Sequence, residues 1–188
     1  MRKKQILLSN AEIIQYFDIH EDADQTLVLL HGNFSGAQFF DTLISKLPKD
    51  IRIIAPDLRG FGDSSYYKRI TSLKDFAEDI TELLSILNIE SYDVLGWSLG
   101  GGVAMEMVAY DTKLNKLILV SSTTHKGYPV YKKDANGKPL EGQTYDTPEQ
   151  MAFDPVQVAP VLYTLKNQYY DGIKYLYDQL IFTNEKPT

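Results

Sequence analysis

The sequence contains no cysteine, and only three histidines and one tryptophan occur among its 188 residues. Without cysteine the chain can form no disulfide, use no thiol in catalysis and offer no cysteine ligand to zinc. His20, His31 and His125 stand far apart in the chain, which argues against a histidine-based metal site. We therefore expect a protein that works without a metal ion or another cofactor.

Positive charge is also scarce, because 19 Lys and Arg residues face 25 Asp and Glu residues and leave a net charge of -6. This balance argues against nucleic acid and anionic membrane surfaces as partners. No apolar run approaches the length of a membrane span, and polar residues follow the basic residues 2–4 too soon for a signal peptide. With 44% hydrophobic residues the composition is that of a globular protein, and we expect a cytoplasmic one.

Short apolar runs alternate with helical patterns along the first two thirds of the chain. Apolar runs predict strands over residues 26–30, 51–55, 92–95 and 116–120, and helical spacing predicts helices over 39–47, 73–87 and 100–110. Before them, residues 5–8 and 13–19 predict an antiparallel hairpin. The alternation of strand and helix implies an α/β fold, in which a mostly parallel sheet carries helices on both faces.

Residues 96–100, Gly-Trp-Ser-Leu-Gly, stand between a predicted strand and a predicted helix. A strand that ends at a serine and turns straight into a helix is the layout of a nucleophile elbow, where the hydroxyl projects from a sharp turn. A Cβ at Gly96 or Gly100 would collide where the helix folds back on the strand. The pattern alone occurs by chance too often to establish a catalytic serine, so its context has to support the assignment.

Two further loops are expected beside Ser98, because the carboxyl ends of parallel strands meet at one edge of the sheet. They are residues 31–36, after the first parallel strand, and residues 57–65, after the second. Attack by a serine hydroxyl creates negative charge that needs fixed hydrogen-bond donors. The backbone N–H of Leu99, at the start of the helix, can supply one donor, and the turn over residues 31–33 can supply the other.

Three motifs occur together in this order: residues 31–34 (His-Gly-Asn-Phe), 57–64 (Asp-Leu-Arg-Gly-Phe-Gly-Asp-Ser) and 96–101 (Gly-Trp-Ser-Leu-Gly-Gly). Over residues 5–125 the chain resembles the α/β-hydrolase superfamily, and within it the branch of esterases, C–C bond hydrolases and cofactor-free haloperoxidases. The resemblance implies a carboxylesterase that works through an acyl-serine intermediate on a small molecule with an apolar part. C–C bond hydrolysis and peracid formation are alternatives, and a catalytically incompetent fragment or binding module is a third.

The resemblance also implies roles for individual residues. Ser98 would be the nucleophile, and the N–H groups of Asn33 and Leu99 would form the oxyanion hole. His31 would hold its loop by hydrogen bonds rather than act as the base. The residues expected to contact the substrate are Phe34, Trp97 and His125.

By the same resemblance, residues 1–122 form the hydrolase core and residues 123–188 form a mainly helical cap that lines the substrate entrance. Turn residues predict a turn or short hairpin over 134–139 in the cap. Helical patterns predict a short helix over 148–151 and one or two helices over 160–182, and no further strand of the sheet is evident after residue 120.

The sequence contains no residue that can be assigned as the catalytic base. In this fold the acid and the histidine follow the serine, on loops after two later strands, and no such strands are predicted here. His125 is the only histidine after Ser98, and it stands where the cap begins rather than where the base belongs. We therefore expect the N-terminal part of a longer hydrolase, whose strand at 116–120 lies on an open sheet edge. A missing C-terminal segment or self-association would cover that edge.

Overall fold

The computed structural model describes residues 2–125 and 127–180. The chain forms two compact units, residues 1–127 and 128–188. This division lies close to the predicted boundary at residue 122, and the role of the second unit as a cap stays a prediction. Among the described residues, none of the helices combines the length and the hydropathy that a membrane crossing requires.

The first unit is built on one mixed sheet. Its elements are β1 Lys3–Leu7, β2 Ile13–Ile19, β3 Gln25–Leu30, a 3-10 turn Ala37–Phe40, α1 Asp41–Ile44, β4 Ile51–Pro56, α2 Leu73–Ile86, β5 Tyr92–Trp97, α3 Leu99–Val108 and β6 Leu114–Val120. The strand order is β1-β2-β4-β3-β5-β6. β1 and β2 run antiparallel to their neighbours, whereas β4, β3, β5 and β6 run parallel. The predicted α/β fold is therefore confirmed, and the loops after the parallel strands share one edge.

Both faces of the parallel strands are buried. In β3, Val28 and Leu30 pack into one apolar cluster with residues of α2 and α3. Leu27 and Leu29 point to the opposite face and pack into a second cluster, around the 3-10 turn and α1. Because both faces are covered, every position of β3 from 27 to 30 is apolar. Burial of each such side chain contributes about 1.5–3 kcal/mol.

The helical segment after β3 is shorter than the sequence predicts. Helical spacing extends to residue 47, but the segment begins as a 3-10 turn and α1 ends at Ile44. Leu47 precedes Pro48, and the proline ring disfavours the α conformation of the residue before it. The apolar face is kept nevertheless, because Phe40 and Ile44 are both buried.

The second unit combines a small hairpin with helices. Its described elements are β7 Tyr131–Lys133, β8 Pro139–Thr144, α4 Pro148–Met151, α5 Ala159–Lys166 and α6 Tyr170–Leu180. β7 and β8 pair antiparallel around the predicted turn, where Asp134 Oδ1 accepts hydrogen bonds from the N–H groups of Asn136 (2.8 Å) and Lys138 (2.9 Å). Within the described residues no further strand joins the main sheet after residue 120, and the short hairpin predicted around residues 134–139 is confirmed as β7 and β8. Residues 181 and 182 of the last predicted helix lie outside the described residues.

β6 forms an open edge of the sheet. Within the described residues it pairs with β5 alone. Ile118, Leu119 and Val120 remain 42%, 44% and 43% exposed, although a continuous apolar run is typical of a strand covered on both faces. The edge position predicted for residues 116–120 is thus observed, and what covers this edge stays a prediction.

Candidate active site

Ser98 connects β5 directly to α3. β5 ends at Trp97, α3 begins at Leu99, and Ser98 between them has φ 52° and ψ -114°. Residues with a side chain rarely adopt such a backbone conformation, which costs on the order of 1–3 kcal/mol and occurs preferentially at functional sites. The geometry is that of the nucleophile elbow that the glycine–serine pattern predicts.

Two glycines permit this turn. A Cβ on Gly96 would lie 2.4 Å from the carbonyl oxygen of Gly100, so the start of α3 could not fold back on β5. A Cβ on Gly100 would lie 2.1 Å from the carbonyl oxygen of Leu30, at the end of β3. These distances are far below van der Waals contact, and only glycine allows the backbones to approach so closely.

The end of β6 holds Ser98 in its conformation. The N–H of Ser98 donates to the carbonyl oxygen of Val120 at 3.1 Å, and the carbonyl oxygen of Ser98 accepts from the N–H of Thr123 at 3.1 Å. Ser121, between these two anchors, also has a positive φ of 42°. Hydrogen bonds therefore connect the strained turn at Ser98 to the end of the neighbouring strand. Sequence patterns do not reveal these hydrogen bonds.

Two backbone segments that the sequence predicts to supply oxyanion donors lie next to Ser98, namely the start of α3 and the loop over residues 31–36. Leu99 is the first residue of α3, where an N–H has no acceptor within the helix. The loop that carries Asn33 lies alongside, since a Cβ on Gly32 would come within 3.2 Å of the Ser98 Cβ. In the described part of the chain, neither N–H donates to a protein acceptor. Both groups can therefore serve a ligand oxygen, which keeps the proposed oxyanion hole open to test.

His31 is buried and holds this loop. Its Nε2 accepts the N–H of Leu58 at 2.9 Å, so its Nδ1 carries the proton and donates to the carbonyl oxygen of Gly32 at 2.8 Å. Burial lowers the pKa of the imidazole, which keeps the ring neutral. Both ring nitrogens are thus engaged, and His31 is in no position to act as the base for Ser98.

An aromatic surface adjoins Ser98. The Trp97 ring lies 3.4 Å from a Cβ placed on Gly32, and the ring centroid of Phe39 is 6.2 Å from that of Trp97. Phe34 stands in the same loop with φ 55° and is 43% exposed. The sequence predicts Phe34 and Trp97 as pocket residues, but it indicates only a helical position for Phe39. Its exposure, at 51%, is the signal that distinguishes it from the buried Phe40.

The hydroxyl of Ser98 has no hydrogen-bond partner in the part of the chain that the structure describes. Within the described residues, Ser98 Oγ forms no hydrogen bond with any side chain. His125 follows Thr123, whose N–H donates to the Ser98 carbonyl oxygen, by two residues, and within the described residues it forms no hydrogen bond with Ser98. The described residues also contain no cluster of three or more histidines and carboxylates suited to a metal ion.

A sequence model of the alpha/beta hydrolase fold matches residues 25–155, which is more than half of the chain. The chain belongs to the alpha/beta hydrolase family. This confirms the resemblance read from the three motifs. It also agrees with the mixed sheet and the serine turn described above.

Individual alpha/beta hydrolases are similar to this chain in sequence or in structure. The soluble epoxide hydrolase of a Corynebacterium species is 38% identical over 87 residues, which are 46% of this chain and 30% of that protein. The esterase of Exiguobacterium antarcticum is 26% identical, with a TM-score of 0.65 over 85% of this chain and 58% of its own. The meta-cleavage product hydrolase CumD of Pseudomonas fluorescens is 25% identical, with a TM-score of 0.58 over 70% of this chain and 47% of its own. This chain therefore spans less than two thirds of each of these hydrolases.

Proposed function

We propose that this chain carries the nucleophile of a serine hydrolase that cleaves carboxylic esters through an acyl-Ser98 intermediate. The observation that carries the proposal is the strained Ser98 at the junction of β5 and α3, with the N–H groups of Asn33 and Leu99 beside it. Similarity to a solved esterase supports it.

In the proposed reaction the Ser98 oxygen attacks the ester carbonyl while a base removes the hydroxyl proton. The resulting oxyanion accepts hydrogen bonds from Asn33 and Leu99, the alcohol leaves, and water then releases the acid from the serine. Similar epoxide hydrolases raise the question of epoxide opening. A serine would form a stable ether with an epoxide, whereas its ester with an acyl group hydrolyses readily, so the nucleophile favours acyl transfer.

No described residue is assigned as the base, because both nitrogens of His31 are engaged and no described side chain forms a hydrogen bond with Ser98 Oγ. We therefore expect slow turnover by this chain alone. A site that keeps its oxyanion donors but lacks a triad member can retain an acceleration on the order of 10³–10⁴ over water. A longer polypeptide that supplies an acid and a histidine is part of the proposal.

For the substrate we propose a small molecule with an apolar or aromatic part that packs on Trp97, Phe34 and Phe39. His125 completes the proposed pocket. C–C bond hydrolysis is a second candidate, supported by similarity to the meta-cleavage product hydrolase CumD. A panel of aryl esters and vinylogous diketones separates these reactions, because only a C–C hydrolase cleaves the diketones.

Labelling with a fluorophosphonate probe tests Ser98 directly. We expect slow labelling that Ser98→Ala abolishes and that Ser45→Ala, on an exposed serine of the same unit, leaves unchanged. Rapid labelling of this chain would contradict the absence of a base. If a longer form of the protein also fails to react, the assignment of Ser98 is wrong and a binding module is favoured.

We also propose that further polypeptide covers the open edge of β6, either a C-terminal segment or a second copy. The exposed apolar side chains of Ile118, Leu119 and Val120 support this proposal. Native mass spectrometry distinguishes the two sources, since a strictly monomeric chain would contradict self-association. The cytoplasmic location expected from the sequence stays a prediction.

A further inference from the structure

Lys3 lies far from the serine in sequence but reaches the loops that surround it. From β1, its Nζ lies 2.6 Å from Asp57 Oδ2 and 2.6 Å from Asp63 Oδ2. The side chain of Asp57 is only 1% exposed and that of Lys3 15%. Lys3 is thus the counter-charge of a buried carboxylate in the loop after β4.

The Asp57 carboxylate occupies a tight space between two loops. Its Oδ1 accepts the N–H of Ala37 at 2.8 Å, and its Oδ2 accepts the N–H of Asp63 at 3.1 Å. A Cβ on Gly36 would lie 2.9 Å from Oδ1, and one on Gly62 would lie 2.3 Å from Oδ2. Both glycines therefore leave room for the carboxylate, and its position is closely defined.

These contacts fasten both ends of the loop that carries Asn33. At its beginning, the imidazole of His31 accepts the N–H of Leu58. At its end, the N–H of Ala37 donates to Asp57. Two consecutive residues after β4 thus hold the loop on either side of Asn33, and one of these two anchors depends on a buried negative charge.

A buried carboxylate keeps its charge and its position only when a counter-charge or several donors stabilise it. Burial by itself lowers the pKa of Lys3, but the hydrogen bonds to Asp57 and Asp63 outweigh it, so the pKa lies above its ordinary value. Lys3 therefore remains an ammonium group beside Asp57 over the whole neutral range.

We propose that Lys3 is a positioning residue, which holds the Asp57 carboxylate and through it the loop that presents the Asn33 N–H to the oxyanion. This rests on the proposed function, because Asn33 is an oxyanion donor only if Ser98 is the nucleophile. The placement of the loop, by contrast, can be measured without any reaction.

Lys4 provides a matched control. It is the next residue of β1 and its Nζ also pairs with a buried carboxylate, that of Asp18, at 3.1 Å. Asp18 belongs to β2 and does not contact the Asn33 loop. Lys4 is more exposed than Lys3, at 40% against 15%, and Asp18 also pairs with Arg52. The comparison therefore depends on where amide exchange changes, because a lysine that merely stabilises the sheet would not act selectively on the Asn33 loop.

The first experiment measures amide hydrogen exchange by NMR in the wild type, Lys3→Met, Lys4→Met and Lys3→Arg. Loss of a hydrogen bond to a charged group corresponds to about a tenfold or larger change in an opening equilibrium. We expect the Ala37 amide and its loop neighbours to exchange about tenfold faster in Lys3→Met, with β3 amides unchanged. Lys4→Met should leave the loop within twofold of the wild type, and Lys3→Arg should restore most of the protection. Equal effects of Lys3→Met and Lys4→Met on the loop, or no effect of either, would overturn the inference.

The second experiment measures the rate of fluorophosphonate labelling at Ser98 in the same variants. We expect about a tenfold slower rate in Lys3→Met and an unchanged rate in Lys4→Met. If neither the wild type of this chain nor a longer form of the protein labels, the proposed function fails while the exchange data still decide the role of Lys3 in loop placement. If the wild type labels and Lys3→Met labels equally fast, the positioning role is wrong although Ser98 stands.

Discussion

At the scale of single residues, the backbone of Ser98 is held against its own preference. Its φ of 52° and ψ of -114° are disfavoured for any residue with a side chain. Hydrogen bonds to Val120 and from Thr123 keep the conformation in place. The conformation of Ser98 therefore lowers the stability of the fold and places the residue at the tip of the turn, and such costs are common at strained functional residues.

Replacement of Ser98 by glycine should reveal the strain. We expect Ser98→Gly to exceed Ser98→Ala in stability by about 1 kcal/mol, because both lose the hydroxyl but only glycine relieves the backbone conformation. Urea unfolding followed through Trp97 fluorescence measures the difference, and fluorophosphonate labelling should be lost in both. If alanine and glycine prove equally stable, the elbow is not strained.

At the scale of elements, one carboxylate organises the second unit. Asp154 is fully buried and accepts hydrogen bonds from the Tyr145 hydroxyl (2.9 Å) and from the N–H groups of Val156 (3.1 Å) and Gln157 (2.6 Å). Lys133 of β7 pairs with it at 3.0 Å. Burial by itself raises the pKa of Asp154, but these donors outweigh it and hold the pKa at about 2. The hairpin is thus tied to the segment between α4 and α5.

The stability of the second unit should decrease at low pH. An aspartate in an unfolded chain has a pKa of about 3.9, whereas Asp154 has a pKa of about 2 when folded. The contribution of ionised Asp154 to the free energy of unfolding is therefore complete above about pH 4 and is lost as the pH falls towards 2. Urea titrations followed through the amide resonances of β7 and β8 should show this loss. At neutral pH, Asp154→Asn should destabilise the hairpin by about 3 kcal/mol, because it leaves Lys133 buried without its partner.

Asp146 supplies the comparison for this prediction. It pairs with Lys132 at 3.5 Å but its side chain is 74% exposed, and exposed ion pairs contribute about 0–1 kcal/mol. We expect Asp146→Asn to change hairpin stability by less than about 0.5 kcal/mol. Similar losses in both variants would show that net charge, and not the buried pair, governs the unit.

At the scale of the whole molecule, one edge of the main sheet exposes apolar side chains. Among the residues that the structure describes, β6 pairs with β5 alone and exposes three consecutive apolar side chains, and an unpaired apolar edge promotes association between sheets. The net charge of -6 opposes association only weakly at this edge.

A lysine on the edge should reduce association. We expect Leu119→Lys to lower light scattering and raise the monomer fraction, because a charge on an edge strand disfavours pairing with another sheet. Ile86→Lys is the matched control, since Ile86 on α2 is 43% exposed and Leu119 is 44% exposed. Equal effects of the two substitutions would attribute association to exposed apolar area rather than to the strand edge.

Local patterns predicted most of the fold. Three features of the fold depend on near neighbours in the chain: the apolar run of β3, the capped start of α2 and the turn before β8. At the start of α2, for example, Asp75 accepts the N–H of Ser72 at 2.9 Å. The prediction failed where distant residues decide the geometry. The ring contact of Phe39 with Trp97 and the ion pair of Lys3 with Asp57 join residues more than 50 positions apart.

The sequence by itself determined the order of strands and helices, the glycines of the elbow and the membership in the alpha/beta hydrolase family, because spacing and steric demands act locally. Only the tertiary structure decided which tautomer His31 adopts, which residues hold Ser98 and which lysine neutralises Asp57. These depend on where the sheet brings separate loops together. It also showed that the described residues contain no hydrogen-bond partner for Ser98 Oγ, so the proposed function depends on where a base comes from.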